Sequence, residues 1–140
     1  MKIENNDHDV VYLKVKNMEA YIDEELAPII KILWKNNIET SACCQENTPE
    51  TAHIVFPTSN DAANFVKFLL GKKKVSYLSK QGLKNSEDKL NDIETNILSW
   101  GTGGFSWSCA FLYDSGVFNI HLDFPKNKIP ELLKTLKRKK

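Results

Sequence analysis

The stretch that decides the fold is VFNIHLDF, Val117–Phe124, in which apolar and polar residues alternate, and Pro125 marks its exit. Alternate side chains of a β-strand point to the same face of a sheet, so this period of two predicts a strand with one apolar and one polar face. The apolar face is predicted to meet the core through Phe118, Ile120, Leu122 and Phe124. The polar face carries Asn119, His121 and Asp123, which are the first candidates for a binding site.

A second strand is predicted just before this one, over residues 105–113, so that the two form a hairpin. A two-residue turn would align Tyr113 with Phe118, whereas a three-residue loop would set Cys109 opposite His121. We favour the first register because it keeps the aromatic residues of both strands on one face. The polar face of the hairpin then forms a continuous surface. This surface is either a binding site or simply a face that is exposed to water.

The rest of the chain alternates helices with further strands. Strands are predicted over residues 10–15, 38–45 and 52–56, and helices over residues 21–36, 58–70, 86–99 and 129–139. In the first helix, Asp23 is the expected cap and the regular part is predicted to begin close to Pro28, while Pro130 marks the start of the last helix. Helices interspersed with antiparallel strands predict a single α+β domain over residues 1–140, with flexible ends at 1–8 and 136–140. The simplest topology is a ferredoxin-like two-layer sandwich, with the helices on one face of the sheet and an inserted helix near 86–99.

Composition excludes several classes of protein. A length of 140 residues, 41% hydrophobic residues and a net charge of +1 are those of an ordinary globular protein, and no apolar run is long enough to span a bilayer. The basic C-terminal residues could contact a polyanion, but they also fit a helix end whose cations complement the helix dipole. Because Arg138 is the only arginine, a nucleic-acid partner is not expected.

The three cysteines are Cys43, Cys44 and Cys109. An odd number in a chain whose start lacks the pattern of a secretory signal argues against a disulfide framework. We therefore expect reduced thiols and a cytoplasmic protein.

The vicinal cysteines precede a polar turn, and His53 follows that turn. On a strand, Cys43 and Cys44 face opposite sides, so one of them at most shares a face with His53. The pairs of ligands with the spacing of a zinc site are absent, and we expect no metal and no cofactor. Cys44, Gln45 and His53 could instead form a thiol site, although a small buried cysteine that fills the core is the favoured interpretation.

The candidate binding residues are Cys44, Gln45, His53, Trp107, Asn119, His121 and Asp123. Trp107 could stack on a base if it were exposed, but an aromatic residue that alternates with serine on a strand more often lies in the core. No motif supplies a nucleophile, a base and an oxyanion donor together, so no catalytic residue is assigned.

The segment Ile22–Trp34, followed by Ile38, Thr40 and the Cys44–Gln45 pair, also supports a resemblance. It resembles small uncharacterised α+β proteins of phages, large DNA viruses and some bacteria, which share a run P-I-I-x-x-L-W, I-x-T and C-Q. The resemblance implies a small α+β fold and brings no activity or catalytic residue. The lysine- and asparagine-rich composition is compatible with a viral origin.

Three functions are expected in this order. The first is a non-catalytic module that binds a small ligand or a protein partner, such as a viral accessory protein. The second is a Cys/His-dependent enzyme or metal protein, and the third is a weak nucleic-acid binder that uses the lysine-rich tail. A second copy of the chain could cover the open face of the sheet, so a homodimer is expected.

Overall fold

The computed structural model of the chain describes residues 9–48, 50–71, 75, 90–98, 102–112 and 116–138, with residues 42–48 described through the course of their backbone. This part of the chain is an α+β protein with two antiparallel sheets and four α-helices. The strands are β1 (Val10–Val15), β2 (Met18–Asp23), β3 (Ala42–Thr48), β4 (Thr51–Phe56), β5 (Ser106–Leu112) and β6 (Val117–Pro125). The α-helices are α1 (Ala27–Lys35), α2 (Ser59–Leu70), α3 (Asp92–Leu98) and α4 (Ile129–Lys137).

Within these residues, no helix combines the length and the apolar character that crossing a membrane requires.

The first sheet is a hairpin of β1 and β2, and β2 corrects the sequence prediction. Residues 21–36 were predicted as one helix, but the chain alternates between half-buried and exposed residues from Met18 to Tyr21, which is a period of two. A two-residue turn joins the strands, and Lys16 adopts a φ of 56° in it. The side-chain amine of Lys16 donates to Asn37 at 2.8 Å, which ties the turn to the end of α1.

Helix α1 begins at Ala27 because Pro28 occupies its first turn, where a missing amide hydrogen costs nothing. This start was predicted, but Asp23 was expected as a cap and lies in β2 instead. The helix buries Ile29, Ile30 and Leu33 in the core. Trp34 is also buried, and its indole nitrogen donates to the hydroxyl of Thr40 at 3.0 Å.

The second sheet has the strand order β3-β4-β6-β5, and neighbouring strands within it are antiparallel. Two hairpins that follow one another in sequence form it, with β4 and β6 in the middle. The ferredoxin-like topology is not confirmed by the described strands, in which β1 and β2 pair in a sheet of their own. The strand predicted at 38–45 begins at Ala42, and the one predicted at 52–56 begins at Thr51.

Helix α2 agrees with its prediction at both ends. The hydroxyl of Thr58 accepts a hydrogen bond from the backbone of Asp61 at 3.0 Å, and Gly71 follows the last turn with a φ of 86°. Phe65 of this helix packs on Phe56 of β4, with ring centroids 5.2 Å apart. Helix α2 therefore covers the apolar face of the four-stranded sheet.

The hairpin of β5 and β6 has a register that neither sequence prediction named. Phe111 stands opposite Phe118, and Cys109 stands opposite Ile120. Both predicted registers were wrong, but the favoured one had the correct parity, so it assigned each residue to the correct face. Leu122 and Phe124 are buried as predicted, whereas Phe118 is 55% exposed because it lies near the tip of the hairpin.

The last two helices complete the core. Of the helix predicted near 86–99, residues 92–98 are helical, and 86–89 and 99 lie outside the described residues. Helix α4 begins at Ile129, with Pro130 in its first turn as predicted. Leu136 is fully buried and the helix continues to Lys137, and the flexible end expected at 136–140 stays a prediction. The expected flexible end at 1–8 lies outside the described residues.

Candidate functional site

The polar face of the four-stranded sheet is organised in rows, because directly opposite residues of antiparallel strands share a face. The first row contains Cys44, His53, Asp123 and Ser106. The next row contains Ala42, Val55, His121 and Ser108. Residues from two distant parts of the chain therefore meet here because β4 and β6 are neighbours in the middle of the sheet.

His53 and Asp123 form the best defined contact of this face. Nδ1 of His53 lies 2.7 Å from Oδ1 of Asp123, across the pair of central strands. The His53 side chain is 15% exposed and the Asp123 side chain 35% exposed, so the bond is partly shielded from water. An ionised carboxylate can only accept, so Nδ1 is the donor and Nε2 of His53 is left for a different partner.

His121 lies beside this pair, with its ring centroid 5.0 Å from that of His53 and the two rings tilted by 53°. Its Nε2 atom is buried, and no described residue provides a hydrogen bond to it. Val55, the neighbour of His121 in the row, is 3% exposed. The unpaired nitrogen therefore lies where the polar face becomes buried and apolar.

The backbone register of β3 assigns Cys44 to the polar face. Cys44 stands opposite His53, and Cys43 stands opposite Ile54, whose side chain is fully buried in the core. The sequence analysis left open which thiol shares a face with His53, and the register selects Cys44. Gln45 follows where the register between β3 and β4 shifts, so the structure assigns it no partner in the row.

Of two further candidate binding residues, Asn119 lies on the polar face and Trp107 does not. Asn119 precedes His121 by two residues on the same strand and is half-buried on the polar face. Trp107 does not join the site, because it stands opposite Leu122 and packs between Phe56 and Phe65. Its indole nitrogen donates to the backbone carbonyl of Ile97 at 2.8 Å. Trp107 is therefore a core residue that fixes α3 to the sheet.

Among the described residues, no group of three or more His, Cys, Asp or Glu side chains is arranged to hold a metal ion. The sequence analysis missed two features of the site, the bond between His53 and Asp123 and the burial of Val55 on the polar face. Alternation gave the correct face for Asp123. The order of the strands, which brings the two residues together, has no local signal.

Comparison of the chain with protein-family models, with curated proteins and with solved structures gives no match. The resemblance to phage and viral proteins stays a prediction, and the function is inferred from the site itself.

Proposed function

We propose that the polar face of the four-stranded sheet binds a small polar ligand and that His121 anchors it. The observation that carries this proposal is the buried Nε2 atom of His121, which has no hydrogen-bond partner among the described residues. A buried polar atom without a partner costs about 1–3 kcal/mol, so folded proteins seldom retain one. A ligand that hydrogen-bonds to Nε2 would remove this cost on binding.

The neighbouring residues define the chemistry that such a ligand needs. Asp123 binds Nδ1 of His53, which leaves Nε2 of His53 for a contact with the ligand. The ring centroids of His53 and His121 are 5.0 Å apart. The amide of Asn119 on the same face can donate and accept. We infer a ligand that carries at least two hydrogen-bonding groups a few ångströms apart, such as a hydroxy acid, an amide or a nucleobase.

Nuclear magnetic resonance of the histidine side chains tests this proposal. Long-range proton–nitrogen spectra of the full chain are recorded while a library of small polar compounds is added. We expect binders to shift the ring signals of both His53 and His121. The variant His121→Phe should bind these compounds about tenfold more weakly, because it loses one buried hydrogen bond. The variant Cys109→Ser is the matched control, because Cys109 is exposed and stands opposite Ile120.

Two results would contradict the proposal. In one, no compound of the library moves either ring signal. In the other, the compounds that bind have equal affinity for the wild type and for His121→Phe.

A second function, a thiol-dependent enzyme, is favoured by the first row of the polar face. His53 stands between Asp123, to which it is bonded, and Cys44, its register partner on the other side. A carboxylate that orients a histidine next to a cysteine is the arrangement that activates a thiol nucleophile. We propose this function as the alternative to simple binding.

The chemistry would be acyl transfer. Nε2 of His53 would take the proton of the Cys44 thiol, while Nδ1 keeps its hydrogen bond to Asp123. The thiolate would form a carbon–sulfur bond to the carbonyl carbon, and the bond to the leaving group would break as His53 returns the proton to that group. Water would then hydrolyse the thioester and regenerate the thiol.

Alkylation by iodoacetamide followed by peptide mass spectrometry tests the alternative, because the chain contains its own controls. Cys44 should react faster than the exposed Cys109, and the variant His53→Gln should slow Cys44 without changing Cys109. Equal rates at Cys44 and Cys109, or a Cys44 rate that does not respond to His53→Gln, would exclude the activated thiol and leave the binding proposal in place.

A further inference from the structure

A separate surface lies around the last helix and is lined by none of the residues of the two polar rows. A groove of about 690 Å³ runs between the start of α1 and the start of α4, and three glutamates contribute to its wall. These are Glu24, Glu25 and Glu50, all exposed. A second groove, of about 390 Å³, is lined by three cations of α4, namely Lys134, Lys137 and Arg138, also exposed.

The two grooves share one apolar wall, formed by Pro130 and Leu133. Pro130 is exposed and Leu133 is half-buried, and exposed Pro28 extends this wall into the acidic groove. The order along the surface is therefore acidic, apolar and basic. We call this surface the α4 surface.

The α4 surface is complementary to itself. A two-fold axis across α4 places two copies of the helix antiparallel, with apolar wall against apolar wall. The acidic end of each copy then faces the basic end of its partner, and both contacts form at once because a two-fold interface uses the same patch twice. Lys126 in the acidic groove leaves the balance of charge there negative, with three carboxylates to one amine.

The charges on α4 have a simpler explanation, which is that lysines near a helix C-terminus complement the helix dipole. The dipole also favours Glu24 and Glu25, which lie just before the start of α1. It does not account for Glu50, which precedes β4 and contributes to the same acidic wall.

We propose that the α4 surface is the interface of a homodimer with antiparallel α4 helices. The interface differs from the open sheet face expected from the sequence, which stays free to bind a ligand. The apolar part is small, so the dimer is weak and depends on salt, since exposed charge pairs are screened within about 10 Å at 0.1 M salt.

Sedimentation velocity of the full chain tests the proposal through charge reversal. One variant, Glu24→Lys with Glu50→Lys, reverses the acidic end, and a second, Lys134→Glu with Lys137→Glu, reverses the basic end. The wild type should associate as its concentration rises in about 20 mM salt and dissociate in about 0.5 M salt. Each variant alone should associate about tenfold more weakly, because like charges then face each other.

Mixing the two variants is the decisive step. In the mixture, the introduced lysines face the introduced glutamates, and the unchanged ends also match, so association should return to about the wild-type level. The control Lys14→Glu with Lys67→Glu makes the same change of net charge as the variant of the basic end, at exposed sites that line neither groove, and it should behave as the wild type. Urea unfolding confirms that each variant is folded.

Three outcomes would overturn the proposal. The wild type could stay monomeric at every concentration in low salt. Both charge-reversed variants could associate as well as the wild type, which would place the contact elsewhere. Finally, the mixture could associate no better than its components, which would exclude a second copy as the occupant of this surface.

Discussion

Replacing His121 by phenylalanine should make the free protein more stable. The buried Nε2 atom of His121 has no partner among the described residues, and such an atom costs about 1–3 kcal/mol. Phenylalanine removes the atom and retains a ring next to His53, so the contact between the rings is kept. The larger ring opposes part of the gain, but the half-buried side chain of His121 leaves it room.

We expect a net gain of about 1 kcal/mol in the free energy of unfolding. With a urea dependence of about 2 kcal/mol per molar, the midpoint should rise by about 0.5 M. The thermal midpoint should rise by about 4 °C. The assay is urea unfolding followed by tryptophan fluorescence, to which Trp34 in the core and the half-buried Trp107 packed against it contribute.

The matched control is Cys109→Ser, an exposed change that should leave the midpoint within the error of the method. A loss of stability in His121→Phe would refute the reasoning, because it would mean that Nε2 has a good partner in the folded protein. A gain of stability together with a loss of ligand binding would show that this position is retained for function at a cost in stability.

Three further substitutions test individual contacts of the site and of the fold. Asp123→Asn turns the charged bond to His53 into a neutral one and should lower the free energy of unfolding by about 1 kcal/mol in urea unfolding; an unchanged midpoint would mean that the bond is not formed in solution. Thr40→Val removes the acceptor of a buried indole nitrogen and should cost about 1–2 kcal/mol in the same assay, whereas a neutral result would contradict the bond. Gly104→Ala should lower the thermal midpoint by more than Gly116→Ala. Both residues have φ above 70°, but only the methyl group added at Gly104 meets a proline ring, at 2.6 Å. Equal losses would argue against that contact.

Part of the candidate site followed from the sequence because alternation is a local property. The residues Asn119, His121 and Asp123 were assigned to one face of β6 without knowledge of its neighbours. Alternation also predicted the correct parity of the hairpin although both of its proposed registers were wrong. Alternation does not show which strand of the chain lies next to β6.

The tertiary structure decided which strands became neighbours. The bond from His53 to Asp123 joins residues 70 positions apart, and it exists because β4 and β6 pair in the middle of the sheet. No short-range pattern encodes such a pairing, since its stability comes from the apolar side chains that both strands bury on the opposite face.

The first hairpin shows the same division. Residues 18–36 contain apolar residues that fit a period of two at the start and a period close to four later on, and the sequence analysis extended the second pattern too far. Pro28 alone located the true start of α1, because it acts through its own ring and missing amide hydrogen. Met18–Asp23 became a strand because β1 was available to satisfy its backbone hydrogen bonds, and only the folded chain supplies that partner.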